Sequence, residues 1–289
     1  MQIRQVLHQA TKFLADNHID TAKTDAEVLL SDLLGTNRVE LYLNDKISLN
    51  KNRLALYWKL LDRRASHEPV AYISGKKEFM DWEFIVSPDV LIPRPETEIL
   101  VEEIINIGKK MLNFSPIIVD IGTGSGVIAI SLALALNAKV YAIDISTPAL
   151  EVAKLNAAKL GVEDRITFLK GNLLFPLKRF NINKKVDFIV SNPPYVATSQ
   201  FKSLPLDVRF EPKIALDGGK EGLNFYDKII NGSLDYLKEG GYLVLEVGYD
   251  MAEIIKDKII QTKKFEDVKI IKDYHGTKRI ILSKGGSLK

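Results

Sequence analysis

The sequence is short of the side chains that bind metals and form disulfides. It contains no cysteine and four histidines in 289 residues. Without a thiol, the chain cannot form a disulfide, use a thiolate nucleophile, or hold zinc or an iron–sulfur cluster through sulfur. None of the histidines stands four residues from another, the spacing that would place both on one helical face. We therefore expect no metal site. The histidines are His8, His18, His67 and His275.

Long runs of one residue class are missing as well. The net charge is +3 at pH 7, and basic residues come at most in pairs such as Arg63 and Arg64. Basic segments that bind nucleic acid have roughly five to eight such residues. The most apolar stretch, Val127–Leu136, is shorter than the ~20 residues that cross a bilayer. The first residues lack the apolar centre of a signal peptide. We expect a cytoplasmic protein with no membrane partner and no direct binding to nucleic acid.

Three regions can be distinguished along the chain. The hydrophobic share of 46% and the charged share of 27% are typical of globular proteins. At roughly 100–200 residues per domain, this length suffices for one large and one small domain. Residues 1–70 carry apolar side chains at helical spacing and predict a small all-helical domain. Residues 71–93 predict a β-hairpin linker, and residues 94–289 form the large domain.

The role of the helical region is open from its pattern. Its second helix is predicted to begin at Thr24 or Asp25, which can cap a helix, and to end at Gly35. A bundle of this kind either stabilises the neighbouring domain or recognises a substrate, and the pattern favours neither.

The large domain alternates short apolar strands with helical segments. Continuous apolar strands of this kind indicate a mostly parallel sheet that is covered on both faces and is doubly wound. A helix is predicted at residues 223–237, and Gly240 and Gly241 are predicted to lead into the next strand. Only a turn at Gly276 joins the last two strands, so one strand is expected to run antiparallel. The seven predicted strands are residues 117–119, 140–143, 166–169, 186–190, 242–247, 268–271 and 279–282.

A glycine-rich loop follows the first of these strands. Gly122, Gly124 and Gly126 alternate with Thr123 and Ser125. In a doubly wound sheet a nucleotide-like ligand binds at this position, because glycine lets the backbone approach it closely. The spacing G-x-G-x-G differs from the dinucleotide fingerprint G-x-G-x-x-G, which disfavours an NAD-dependent dehydrogenase. The alternative is a tight turn with a structural role only.

Asp144 ends the second strand. An acidic residue at this place can accept hydrogen bonds from the two hydroxyls of a ribose. The alternative is that Asp144 caps the following helix. Ser146 or Thr147 can cap that helix instead, since Pro148 marks its first turn. We therefore expect Asp144 to be free for the ligand.

Asn192, Pro193, Pro194 and Tyr195 follow the fourth strand. Two prolines end the strand and fix the backbone. The Asn192 side chain and the Pro193 carbonyl are then two fixed acceptors that can hold a planar NH2 group. Tyr195 offers a flat face for a planar substrate or a cationic methyl donor. The segment therefore predicts transfer of a group to an amide or amine nitrogen.

Taken together, the glycine loop, Asp144 and Asn-Pro-Pro-Tyr resemble the Rossmann-like class I methyltransferases that act on nitrogen. Further segments resemble the release factor glutamine methyltransferase family, the protein N5-glutamine methyltransferases. That family also has a helical N-terminal domain, then a hairpin, then the catalytic domain. The segments are residues 92–98 (Ile-Pro-Arg-Pro-Glu-Thr-Glu), 208–212 (Val-Arg-Phe-Glu-Pro), 215–219 (Ala-Leu-Asp-Gly-Gly) and 245–248 (Leu-Glu-Val-Gly).

The resemblance implies a cofactor and a substrate. S-adenosylmethionine would be the methyl donor, with Asp144 at its ribose. Asn192 and the Pro193 carbonyl would hold the glutamine amide of the Gly-Gly-Gln loop in peptide-chain release factors, and the N-terminal helices would dock the factor. Pro194 and Tyr195 would complete the slot. The residues implied at the methionine end are Gly122, Thr123, Gly124, Ser125 and Gly126.

The adenine side departs from the family pattern. The family usually has an acidic residue followed by an aromatic one after the third strand, whereas this chain has Asn172 and Leu173. Asn172 can still accept from the adenine amino group, and Leu173 can pack on the ring.

Three other functions are alternatives to the one that the resemblance implies. A glutamine methyltransferase of a ribosomal protein would differ mainly in the N-terminal domain. An adenine-N6 DNA methyltransferase would need a basic groove, which the dispersed charge disfavours. A protein that only binds a nucleotide has no use for the rigid amide slot at Asn192. The predicted fold class is α/β, a Rossmann-like class I methyltransferase fold with a seven-stranded mostly parallel sheet.

Overall fold

The computed structural model describes residues 1–110 and 115–286, which fall into two compact units. The first unit is Met1–Lys76 together with the separate segment Pro205–Phe210. Leu206, Arg209 and Phe210 of that segment line a cavity of about 300 Å³ with Ser66 and His67. The second unit contains the remaining described residues, including the hairpin.

The first unit is helical. Helices α1, α2 and α4 bury apolar stripes against one another, with Val6, Leu30 and Leu61 fully inaccessible to solvent. The predicted stop of α2 at Gly35 is confirmed, because Gly35 has a φ of +67° and ends the helix. The helices are α1 (Ile3–Asp16), α2 (Ala22–Leu34), α3 (Arg38–Leu43), α4 (Lys51–Ala65) and α5 (Val70–Ser74).

The predicted start of α2 is wrong. The helix begins at Ala22 after Thr21, and Thr24 and Asp25 already lie within it. Asp25 does not cap the helix because its carboxylate points into the unit, where it accepts from Arg64 Nε at 2.7 Å and from the Thr21 hydroxyl at 2.7 Å. Asp25, which the sequence pattern predicts as a helix cap, instead lies inside α2 and is one partner of an ion pair with Arg64.

The ion pair between Asp25 and Arg64 is almost enclosed. The side chains of Arg64 and Asp25 are 9% and 11% exposed. Removing one partner of a buried pair leaves the other charge without compensation, which costs far more than losing an exposed pair. Arg63, next to Arg64, makes an exposed pair with Glu68 and provides a comparison on the same helix.

The second unit is built on a sheet with helices on both faces. The 3-10 turns at Phe175–Arg179 and Thr198–Ser203 also belong to it, and Val208–Phe210 is a 3-10 turn of the first unit. The strands are β1 (Lys76–Phe79), β2 (Trp82–Ile85), β3 (Ile117–Ile121), β4 (Lys139–Asp144), β5 (Ile166–Lys170), β6 (Val186–Ser191), β7 (Leu237–Glu246), β8 (Phe265–Lys272) and β9 (Lys278–Gly285). The helices are α6 (Pro95–Lys109), α7 (Val127–Leu136), α8 (Thr147–Lys159), α9 (Lys213–Leu216), α10 (Tyr226–Ser233) and α11 (Ala252–Gln261).

The large sheet has the predicted topology. Within the described residues it contains seven strands in the order β5-β4-β3-β6-β7-β9-β8. Strands β3 to β7 pair in parallel, and β9 is antiparallel to both of its neighbours. The chain order reverses beside β3, and ligands of doubly wound sheets bind at the carboxyl ends of the strands at this switch point. The predicted seven-stranded sheet with one antiparallel strand is confirmed.

Apolar layers cover both faces of the sheet. Helices α6 and α7 and the hairpin side chains Phe79 and Phe84 pack on one face. Helices α10 and α11 pack on the other. Because both faces are buried, the central strands consist of nearly continuous apolar residues. This arrangement leaves the carboxyl ends of the strands as the polar edge of the unit.

The prediction for residues 223–237 is wrong at both ends. Helix α10 is limited to Tyr226–Ser233, and β7 already begins at Leu237. Gly240 and Gly241 lie within β7, where the pairing with β6 jumps from Leu237 opposite Val186 to Tyr242 opposite Phe188. The apolar residues before the glycines therefore belong to a strand interrupted by an irregularity, which a helical periodicity can imitate over a few residues.

No helix in the described part of the chain is long and apolar enough to cross a membrane. Acidic and histidine side chains in that same part form no group suited to a metal ion.

We expect Asp25→Ala to lower the free energy of unfolding of the first unit by about 3–5 kcal/mol, because Arg64 stays buried without a counter-charge. Glu68→Ala should cost at most about 1 kcal/mol. Denaturant unfolding in a Trp82→Phe background measures this, since Trp58 is then the remaining tryptophan and lies in the first unit. Equal losses for the two variants would contradict the assignment of Asp25 and Arg64 as a buried pair.

Candidate active site

A cavity of about 340 Å³ opens at the carboxyl ends of the central strands. It lies where β3, β4 and β6 end, and its size is at the lower end of the range for small-molecule sites. Its wall combines apolar side chains with a few polar groups from different loops. The sequence-predicted residues that line it are Gly122, Gly124, Asp144, Asn172, Leu173, Asn192, Pro193 and Pro194.

The glycine loop presents bare backbone to this cavity. Gly122 has a φ of +74°, and a Cβ placed on it would meet no atom within 4 Å. Gly124 likewise has a positive φ and open space in front of it. The Gly122 amide donates to the Ile143 carbonyl at 2.8 Å, which fixes the loop against β4. A ligand can therefore lie directly on the backbone here.

Thr123, Ser125 and Gly126 are not among the residues that line the cavity. Thr123 and Ser125 are buried, and the Thr123 hydroxyl donates to Asp120 Oδ2 at 2.6 Å. Burial raises the pKa of Asp120 to about 7. Gly122 and Gly124 of this loop therefore line the cavity, whereas the buried Thr123 side chain fixes the loop to Asp120.

Asp144 is held by two backbone amides. Its Oδ2 accepts from the Gly124 amide at 2.9 Å, and its Oδ1 accepts from the Ser146 amide at 2.8 Å. Burial raises the pKa of Asp144 above its usual range. The predicted capping of α8 by Ser146 is confirmed, because its Oγ accepts from the Ala149 amide. A carboxylate oxygen can accept more than one hydrogen bond, so Asp144 retains acceptor capacity toward the cavity.

Other parts of the wall were not predicted from the sequence. Val90 and Leu91, after the hairpin, line the cavity, as do Ile145, Ile214 and Phe225. The hairpin is tied to the glycine loop through the buried Asn156. Its side chain pairs with both the amide and the carbonyl of Ile85, and its Nδ2 also donates to the Ser125 carbonyl at 2.9 Å. No local pattern marks these residues, since they meet only in the folded chain.

The segment Asn192-Pro193-Pro194-Tyr195 is enclosed by a second glycine loop. A Cβ on Gly218 would lie 2.7 Å from the Pro194 carbonyl oxygen, and one on Gly222 would lie 2.3 Å from the Tyr195 carbonyl oxygen. Only glycine permits backbones to approach so closely. The 217–222 loop therefore holds the proline segment from behind while Asn192 faces the cavity.

Tyr195 does not line the cavity. Its ring packs in the core beside Gly248, where a Cβ would lie 3.0 Å from the ring atom Cδ2. Burial raises the pKa of its hydroxyl. Tyr195 is partly buried, and its ring anchors the segment against the core. The expected flat face toward a substrate or a methyl donor stays a prediction.

A hydrogen-bonded pair stands behind Asn192. Asn192 Nδ2 donates to Thr97 Oγ1 at 3.2 Å, and the Thr97 hydroxyl donates to Glu246 Oε2 at 2.6 Å. Thr97 and Glu246 are buried, and burial raises the pKa of Glu246 to about 7. Sequence reasoning quoted both residues within family segments but gave them no role. An acidic residue inside an otherwise apolar strand was the signal that could have marked Glu246.

Comparisons with known proteins agree on one family. Residues 5–75 match the PrmC N-terminal domain, and residues 116–280 match a methyltransferase domain. The release factor glutamine methyltransferase of Moorella thermoacetica is 40% identical over 98% of both chains. That of Geobacter sulfurreducens is 39% identical over 96% of this chain and 95% of the relative.

The solved structure of a methyltransferase from Pyrococcus furiosus matches with a TM-score of 0.53 and 22% identity. It covers 78% of this chain and 99% of that protein, and it supports the class I methyltransferase fold. The near full-length relatives show that the chain belongs to the release factor glutamine methyltransferase family.

Proposed function

We propose that this protein transfers a methyl group from S-adenosylmethionine to the side-chain amide nitrogen of the glutamine in the Gly-Gly-Gln loop of peptide-chain release factors. The observation that carries the proposal is the position of Asn192, which lines the same cavity as Gly122 and Asp144. A nitrogen held at Asn192 would therefore lie beside a methyl donor held at the glycine loop. Relatives that match nearly the whole chain carry the name of this activity.

The residues of the cavity fit S-adenosylmethionine. Gly122 and Gly124 offer open backbone for the methionine end, and Asp144 has acceptor capacity for the ribose hydroxyls. Asn172 and Leu173 supply one polar and one apolar group for the adenine. Thr123, Ser125 and Gly126 do not line the cavity, and their proposed role is to fix the backbone conformation of the loop. When bound, the cofactor supplies an electrophilic methyl group on a sulfonium centre.

The chain's own part in the reaction is to orient the nitrogen. An amide nitrogen is a weak nucleophile because its lone pair is delocalised. The Asn192 oxygen and the Pro193 carbonyl would each accept one hydrogen of the substrate NH2, so that its lone pair faces the donor. Orientation of this kind can lower a barrier by about 7–11 kcal/mol. The same acceptors stabilise the positive charge that develops on nitrogen.

The cavity supports a reaction without a general base at the nitrogen. Among the described residues that line it, only Asp89 and Asp144 are ionisable, and Asp144 is assigned to the ribose. The nitrogen becomes acidic once it is methylated, so its proton can leave to water afterwards. Pro194 forms one wall of the slot, and Tyr195 anchors it from the core.

The helical first unit is proposed to dock the release factor. It matches the PrmC N-terminal domain over residues 5–75. It also presents large apolar side chains to solvent, among them Val39 and Leu43 at 68% and 77% exposure. Val39 and Leu43 stand four residues apart on α3 and so share one face of the helix. Contiguous exposed apolar patches mark sites where a protein partner binds. We accordingly keep the division into a substrate-recognition domain, a hairpin and a catalytic domain as a proposal.

We expect Gly122→Ala to weaken S-adenosylmethionine binding by at least about fivefold, because an added methyl group at a close contact costs about 1–3 kcal/mol. Gly161→Ala is the matched control. Gly161 has a φ of +68° and equally open space, but it does not line the cavity. Calorimetric titration of both variants separates loss of ligand space from backbone strain. Equal binding by the two variants would place the methionine end elsewhere.

We expect Asn192→Ala to reduce methylation of a release factor by roughly 10²–10³, the effect of losing one oriented polar contact in the transition state. Transfer of labelled methyl from S-adenosylmethionine measures this. A release factor whose Gly-Gly-Gln glutamine is replaced by alanine serves as the substrate control and should take up no label. Label on that control, or none on the natural factor by a protein that binds the cofactor, would overturn the proposed function.

A further inference from the structure

We propose that Thr97 and Glu246 are positioning residues that determine which end of the Asn192 carboxamide faces the cavity. The inference rests on the proposed function, because it concerns the group that would hold the substrate amide. The two residues come from distant parts of the chain, α6 and the end of β7. Neither lines the cavity, so they act through Asn192.

The Asn192 carboxamide can take two orientations, with either its oxygen or its NH2 group toward the cavity. The oxygen and the NH2 group of asparagine are nearly equal in size, so packing alone does not distinguish the two orientations. Their chemistry is opposite, since the oxygen accepts and the nitrogen donates. A substrate NH2 group has two donors and needs an acceptor. With the Asn192 nitrogen turned toward it, two donors would face each other.

When Glu246 is ionised, the hydrogen bonds behind Asn192 determine the orientation of its carboxamide. An ionised carboxylate can only accept, so Glu246 obliges the Thr97 hydroxyl to donate to it, at 2.6 Å. A hydroxyl has one proton, and the remaining side of Thr97 Oγ1 can then only accept. Asn192 must present its Nδ2 to this atom, at 3.2 Å. The Asn192 oxygen therefore lies at the end of the carboxamide opposite to Thr97, and we infer that this end faces the cavity that Asn192 lines.

Which atoms donate and which accept in the hydrogen bonds from Asn192 through Thr97 to Glu246 depends on the charge of Glu246. A protonated carboxyl could donate to Thr97, and Thr97 could then donate to the Asn192 oxygen, which would reverse the amide. Burial raises the pKa of Glu246 to about 7, so its ionisation falls within an accessible pH range. The charged or titratable groups around it are Glu96, Arg94, Arg279, Tyr195 and Tyr226.

The arginines among these groups already have carboxylate partners. Arg94 pairs with Glu211, and Arg279 lies 3.5 Å from Asp273. The tyrosine hydroxyls have a raised pKa because they are buried, and they remain neutral around pH 7. Glu246 is therefore the group whose proton sets the direction of the bonds to Asn192 in this pH range.

The first test compares Thr97→Val, Thr97→Ser and Glu246→Gln. Thr97→Val removes the hydroxyl, and kcat should fall at least about tenfold with little change in KM for the release factor. Thr97→Ser keeps the hydroxyl and should retain most of the activity. Tyr274→Phe is the control, because it removes another hydroxyl–carboxylate hydrogen bond, that of Tyr274 with Glu102, in the second unit and away from the cavity. Cofactor binding by each variant confirms that it is folded.

The pH profile gives a second readout that a purely structural role would not move. In the wild type, kcat should fall as the pH drops through about 7. Protonated Glu246 can donate to Thr97, and the Asn192 carboxamide is then free to turn its nitrogen toward the substrate. Glu246→Gln has no proton to gain there and should lack this acidic limb. Asp120 also has a pKa raised to about 7 and is present in both proteins, so the test is the difference between the two pH profiles. Identical pH profiles of kcat for the wild type and Glu246→Gln would overturn the proposal.

The third readout does not need a methylation assay. The side-chain NH2 signal of Asn192 in a ¹H–¹⁵N spectrum can be identified by its loss in Asn192→Ala. It should shift with pH through about 7 in the wild type, and it should move to a free-amide position without this pH response in Thr97→Val. If the wild type showed no methyl transfer but the signal behaved as expected, the proposed function would fail and the orientation of Asn192 would stand. A signal unaffected by Thr97→Val, with kcat unchanged, would overturn the role of Thr97 and Glu246.

Discussion

The parallel register of the central strands is the constraint on which the active site depends. Ile121 of β3 lies opposite Ile143 of β4 and opposite Ser191 of β6, and Asp144 lies opposite Lys170 of β5. Neighbouring strands are about 4.8 Å apart. The loops that follow these strands therefore begin side by side, although they are distant in sequence. The ladder of backbone hydrogen bonds brings the starts of these loops together, and contacts such as that of the Gly124 amide with Asp144 then join them.

Much of the fold could be predicted because it depends on local patterns. Strands buried on both faces consist of continuous apolar residues, and their alternation with helices indicates a doubly wound sheet. The glycine loop, Asp144 and Asn192 could be placed because they directly follow such strands. The extent of α10 could not, since the apolar residues around Leu237 satisfy helical and strand spacing alike. Pairing with β6 decides the outcome there, and that pairing is invisible along the chain.

The motifs of the site could be predicted from the sequence. Which residues of each motif line the cavity and which support it could not. A motif contains residues that face a ligand together with residues that support them, and sequence spacing does not separate the two kinds. Gly122 lines the cavity whereas its neighbour Thr123 binds the buried Asp120. Tyr195 belongs to the Asn-Pro-Pro-Tyr motif, yet it lies outside the cavity lining and packs against the core. Thr97 and Glu246 reach Asn192 from distant elements, and only tertiary structure reveals such contacts.

The segment Pro205–Phe210 has a consequence for how this protein can be divided. It belongs to the first unit, so the chain leaves that unit after Lys76, returns to it at Pro205 and leaves it again after Phe210. A truncation at the hairpin would remove the helices but keep this segment, with Leu206 and Phe210 deprived of the residues they pack beside. The helical unit is thus built from two separate stretches of the sequence. An exchange of recognition modules between relatives would have to transplant two stretches of sequence together.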